Sequence, residues 1–117
     1  MKNIPETSPW AAAFPAEIIV CDNDGIILEM NDLAIELYKE AGGAALIGHN
    51  LYDHHEEPAR SQVKAVVAQK QTVIYTTEKA GQKKLVCIAP WKQDGEVAGF
   101  ALLTLDLPEK MANIVKD

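Results

Sequence analysis

All three histidines of the chain fall in one stretch, GHNLYDHHEEPAR (48–60): His49, His54 and His55, with Glu56 and Glu57 directly behind them. Imidazoles beside carboxylates can ligate a metal, hold haem, pass protons as an acid–base pair, or simply cap a helix. A metal needs three or four converging ligands. His49, His54 and Glu56 or Glu57 could gather, but the neighbours His54 and His55 should diverge, and neither HxxxH nor HExxH spacing is present. No metal site is expected. Cysteine, histidine and acid together suggest nucleophilic chemistry, but no strained elbow or oxyanion loop is legible to support it. The two cysteines, Cys21 and Cys87, lie far apart without CxxC spacing, so free, buried thiols are expected. The bland reading of the stretch is a polar lead-in. Asp53 and His54 would cap the following helix, and Glu56 and Glu57 would favour its positive end.

Whether these side chains meet depends on the elements that carry them. DNDG (22–25) separates EIIVC from IILEMN, a hairpin signal between β-branched runs. KAGQK (79–83) separates TVIYTTE from KLVCIAPW, and QDGE (93–96) separates that strand from VAGFALLTLDL. Five strands result, two early and three late, and the late three should form an antiparallel meander. Between the groups, NDLAIELYKEAGG (31–43) starts at the capping candidates Asn31 and Asp32. It places Leu33, Ala34, Leu37 and Tyr38 on one face and stops at Gly42 and Gly43. EEPARSQVKAVVAQKQ (56–71) puts Ala59, Val63, Val66 and Val67 at helical spacing, with Pro58 in its first turn. The tail from Pro108 reads as a short helix with Met111, Ile114 and Val115 as its apolar side.

With all main helices in one interval, they must cover one face of a single antiparallel sheet, an α+β arrangement. VAGFALLTLDL is apolar on both alternating faces: Val97, Ala101, Leu103 and Leu105 on one, Ala98, Phe100 and Leu102 on the other. Such a strand belongs at the sheet's centre, covered on both sides. The candidate covers for the second face are the tail and SPWAAAF (8–14). Trp10 and Phe14 in that front segment would either cover the sheet or reach a second subunit, and are the dimer-interface candidates.

A chain of 117 residues suits one domain, and its net charge of −6 argues against nucleic-acid and membrane-surface partners. No apolar run approaches the ~20 residues that span a bilayer. The N-terminus lacks the apolar centre of a secretory signal, so a cytoplasmic protein is expected.

In order and spacing, CDNDGIILEMNDLAIELY, LIGHNLYDHHEEPAR, TVIYTTEK, KKLVCIAPWKQDG and EVAGFALLTLDL together resemble the PAS sensor-domain family. The resemblance covers 16–107, leaving 1–15 as an N-terminal segment or short helix and 108–117 as the terminal helix. It implies a five-stranded antiparallel sheet in the order 2-1-5-4-3, helices between strands 2 and 3 over one face, and a small-molecule cavity between them. Candidate cavity-lining residues are His54, His55, Tyr75, Cys87, Leu37 and Val67. Cys21 and Cys87 would flank the fifth strand. Two strand spacings, ~9–10 Å, exceed the ~7 Å Cα limit for a disulfide. Pro90 would sit in an internal strand, where a bulge or the strand's end is expected.

Some members of the family bind haem through a histidine on the long connecting helix. Here the body of that helix (59–71) has none, leaving His54 or His55 to approach from its first turn. The flavin-binding branch uses an Asn-Cys-Arg motif, and neither cysteine lies in one. No cofactor is assigned. The expected function is a stand-alone sensory or interaction domain, binding a small molecule or a signalling partner, dimeric, and without catalysis of its own. Its rivals are a small enzyme using His54 or His55 with Glu56 or Glu57, and a purely structural dimerisation module.

Overall fold

The computed structural model describes residues 8–53, 57 and 59–117, with Ala59 given by its backbone alone; His54, His55, Glu56 and Pro58 lie outside the described residues. The strands are β1 (Glu17–Asp22), β2 (Ile27–Met30), β3 (Val73–Lys79), β4 (Gln82–Gln93) and β5 (Glu96–Asp106). They form one antiparallel sheet in the order β2-β1-β5-β4-β3, as the resemblance implies. The three hairpins expected from turn residues are all formed. At the first, Asp22 Oδ1 accepts from the amides of Asp24 and Ile26 at 2.9 and 3.0 Å. An aspartate closing its own turn in this way is why Asp-rich loops fold locally.

Between β2 and β3 run α2 (Asp32–Leu37), three 3-10 turns (Lys39–Ala41, Gly43–Leu46 and Leu51–Asp53) and α3 (Ala59–Gln69). α2 is shorter than its sequence pattern, ending where the chain tightens into the first 3-10 turn after Tyr38. α3 packs Val63 and Val66 fully inward, as the helical spacing requires. Arg60 at its start donates from Nε and Nη2 to the Tyr52 carbonyl, tying it to the preceding turn.

The register sorts the sheet into two faces. On the inner face, Ile19, Leu102, Ile88 and Val73 form one row across four strands. Cys21, Phe100 and Pro90 form the next. With Ile27, Met30, Ala34, Leu46, Leu51, Val63, Val66 and Val86 from the other elements, these rows supply the buried core. The outer face carries Ile18, Leu103, Cys87 and Ile74 in one row and Val20, Ala101 and Ala89 in another. These residues are half-buried, apart from Ile74, which is exposed.

Three expectations are corrected or refined. Residues 108–117 form no helix, and Met111, Ile114 and Val115 are exposed. So short a segment nucleates poorly without a surface to pack on. β4 runs unbroken through Pro90, which is paired with Phe100; the register shift comes just after, between Trp91 and Lys92. Proline is tolerated because β3 begins at Val73, opposite Ile88, so the far side of β4 has no ladder left to break there. Finally, Cys21 and Cys87 are free and stand on either side of β5, opposite Phe100 and Leu103, but only Cys21 is buried; Cys87 is half-buried on the outer face.

Candidate functional site

The sequence candidates separate in space. Tyr75 on β3 and Val67 on α3 both pack against the inner core, partly buried. Burial also raises the Tyr75 hydroxyl pKa. Cys87 does not join them, since its row is the outer one, opposite Leu103, while its neighbour Ile88 points inward. Leu37 stands half-exposed on α2, outside the core. His54 and His55 lie outside the described residues, and His49, in the exposed loop before them, accepts the Ile27 amide at its backbone carbonyl. Trp91 crosses the outer face and donates from Nε1 to the Cys21 carbonyl at 2.9 Å.

Sequence reasoning missed the group with the most unusual surroundings, Glu17. It opens β1 on the inner face, in a row with Thr104, Val86 and Tyr75, and is only 7 % exposed. Tyr38, which ends α2, reaches it from above. Burial pushes the Glu17 carboxyl above the ordinary carboxylate range, while hydrogen bonding to Tyr38, the Lys84 ammonium and Thr104 pull it back down. Desolvation is the larger effect. Tyr38 is raised in turn, by its own burial first and by Glu17 second. Despite these neighbours, Glu17 Oε1 has no hydrogen-bond partner among the described residues. The strand alternation E-I-I-V-C-D does mark position 17 as sharing a face with Ile19 and Cys21, and that parity was the available signal.

A raised carboxyl has a definite sign in pH dependence. The native state holds the Glu17 proton more tightly than the unfolded chain does. Its contribution is therefore fully present below the ordinary carboxylate pKa and is lost as pH rises through the raised native value. Glu17→Gln, which cannot ionise, should flatten this decline in denaturant-unfolding series taken between about pH 4 and pH 8. Identical slopes for the two proteins would show that Glu17 is not the group responsible.

On the outer face, Ile18, Leu103 and Cys87 are half-buried and Ile74 at the end of their row is exposed. Trp10 lies in the short helix α1 (Pro9–Ala12), which buries none of its residues, and Phe14 follows just after it. Their rings meet edge to face at 6.0 Å, yet remain 69 % and 43 % exposed. Among the described residues no helix is long and apolar enough to cross a membrane.

A family model described as the PAS fold matches residues 12–111. Among solved structures, the chain is similar to the PAS domain of the histidine kinase ThkA, with 21 % identity and a TM-score of 0.67, covering 78 % of this chain and 98 % of that one. It is also similar to the Aer2 receptor from Vibrio cholerae, described as a dual PAS-haem oxygen sensor, at 17 % identity and TM-score 0.57, covering 80 % and 95 %. A third likeness is to the Vibrio cholerae VqmA dimer, at 16 % identity and TM-score 0.64, covering 86 % of this chain and 51 % of that one. No curated protein matches the sequence. At these identities the structures share a fold, while the family model spans most of the chain. The chain belongs to the PAS-fold family.

Proposed function

We propose that this PAS domain is a cytoplasmic sensory and interaction module that works as a homodimer through the outer face of its sheet. The observation that carries the reading is the apolar outer row, Ile18, Leu103, Cys87 and Ile74, with Ile74 61 % exposed. A central strand apolar on both faces requires cover on both, and one side is left for a partner. The exposed pair Trp10 and Phe14 supplies aromatic groups of the kind enriched in the centres of interfaces. A small molecule held between helices and sheet, beside Tyr75 and Val67, would shift the dimer by binding two conformers with different affinity. PAS domains generally sense rather than catalyse, and no reaction is proposed for the His54–Glu57 segment.

The test is the concentration dependence of sedimentation. The unmodified chain should dimerise at micromolar concentration. Ile74→Lys, which places a charge in the row without disturbing the core, should weaken association by about tenfold or more while leaving the unfolding midpoint nearly unchanged. A chain that stays monomeric at millimolar concentration, or an Ile74→Lys variant that dimerises equally well, would overturn the reading.

A further inference from the structure

Glu17 plays no part in the proposed dimer face, and the apolar core gains nothing from a carboxylate. Beside it opens a cleft of about 140 Å³ between α2, the start of β1 and the ends of β4 and β5. Its apolar wall is made by Pro15, Leu33 and Leu37, and its polar wall by Glu17, Thr104, Lys84 and Asp106. Leu33 and Leu37 are 37 % and 50 % exposed, so the cleft leaves their methyl groups unburied. Across from them Glu17, more than nine-tenths buried, has an oxygen with no donor. Unburied methyl groups in one wall and a carboxylate with unused acceptor capacity in the other are complementary to a ligand that is apolar along its length and donates at one end.

The charge of that ligand follows from the polar wall. Two carboxylates, Glu17 and Asp106, stand against one ammonium, Lys84, whose Nζ is 3.8 Å from Asp106 Oδ1. The chain as a whole carries −6, which also favours a cation. At roughly 30 Å³ per water-sized group, the cleft holds a chain of about four or five heavy atoms. We propose that this cleft is a binding site for a short aliphatic primary ammonium ion. Its methylenes lie on Leu33, Leu37 and Pro15, its N–H groups donate to the Glu17 carboxylate, and Asp106 stands at the mouth. The site is independent of the outer face and of dimerisation.

The experiment is a methyl and amide NMR titration of the full chain with n-butylammonium, using 1-butanol and butyrate as neutral and anionic controls of the same length. Butylammonium should give saturable shifts at the Leu33 and Leu37 methyls and the Thr104 amide. Butanol should bind about tenfold more weakly, because it lacks the charge-assisted hydrogen bond, and butyrate should not saturate. Glu17→Gln should lower butylammonium affinity by a similar factor. If that variant fails to fold, the three-ligand comparison on the unmodified chain still decides. Equal binding of butanol and butylammonium would reduce the cleft to an apolar groove. Preference for butyrate would assign it to Lys84, and no saturable shift at these residues would remove the site. Each of those outcomes overturns the proposal.

Discussion

Replacing Asn31 by alanine should lower the unfolding free energy by about 2–4 kcal/mol, measured by urea denaturation at neutral pH. Asn31 is 1 % exposed and uses all of its amide's main hydrogen-bonding directions. Oδ1 accepts from the Ala34 amide at 3.1 Å, capping α2, and from the Ile18 amide at 3.0 Å. Nδ2 donates to the carbonyls of Ala16 at 2.6 Å and Phe14 at 3.3 Å. One side chain thus fastens the N-terminal segment, β1 and α2 together. Alanine removes the cap, worth about 1 kcal/mol, and strands buried backbone groups at about 1–3 kcal/mol each. Against a total stability of about 5–15 kcal/mol for such a domain, that is a large share. Asn31→Asp should be no milder. It keeps the cap acceptor but presses a carboxylate against two carbonyl oxygens. Limited proteolysis should also cut the alanine variant faster within 8–16, since two of the bonds holding that segment are gone. A loss below about 0.5 kcal/mol, the range of an ordinary surface substitution, would show that water or backbone rearrangement replaces the amide fully.

Gly99→Ala should be comparably damaging, at about 3 kcal/mol or more. A β-carbon there would overlap the Cys21 carbonyl oxygen outright and lie 2.8 Å from both Asp22 Cα and Trp91 Nε1. The Cys21 carbonyl is met by the Trp91 indole, which reaches across β5 over Gly99. Trp91→Phe should cost about 1–2 kcal/mol through the lost hydrogen bond. It should not rescue Gly99→Ala, because the overlapping atom belongs to the backbone of β1. Recovery of stability in the double variant would place the clash on the indole instead.

The five strands were legible because hairpin turns and alternation are local signals, their order followed from the resemblance to the PAS family, and Asn31 was legible as a helix cap. Its second role, holding Phe14 and Ala16, depends on where the chain before β1 returns, which no local pattern states. KLVCIAPW shows the same limit. It is apolar on both faces, so nothing in it says that Ile88 rather than Cys87 looks at the helices. Leu37 fits an apolar helix face, yet α2 ends there and leaves it at the rim of the cleft. Glu17 looked like an ordinary strand-opening acid. Its burial comes from Tyr38 and Thr104, both remote in sequence. The tail's spacing suggested a helix, but spacing cannot supply the surface a short helix needs.

β4 is longer than the strand beside it, and this has a consequence for how copies of the chain meet. Past Ile88, β3 has ended, and residues 89–93 present an unpaired rim. A bare strand rim is a template on which another chain can add by backbone hydrogen bonding, the route to open-ended aggregation. Pro90 stands in that stretch without an amide hydrogen to offer, and the twist introduced after Trp91 turns the rim away from a straight partner. The proline that looked out of place in an internal strand thereby discourages edge-to-edge growth, in keeping with the face-to-face dimer proposed above.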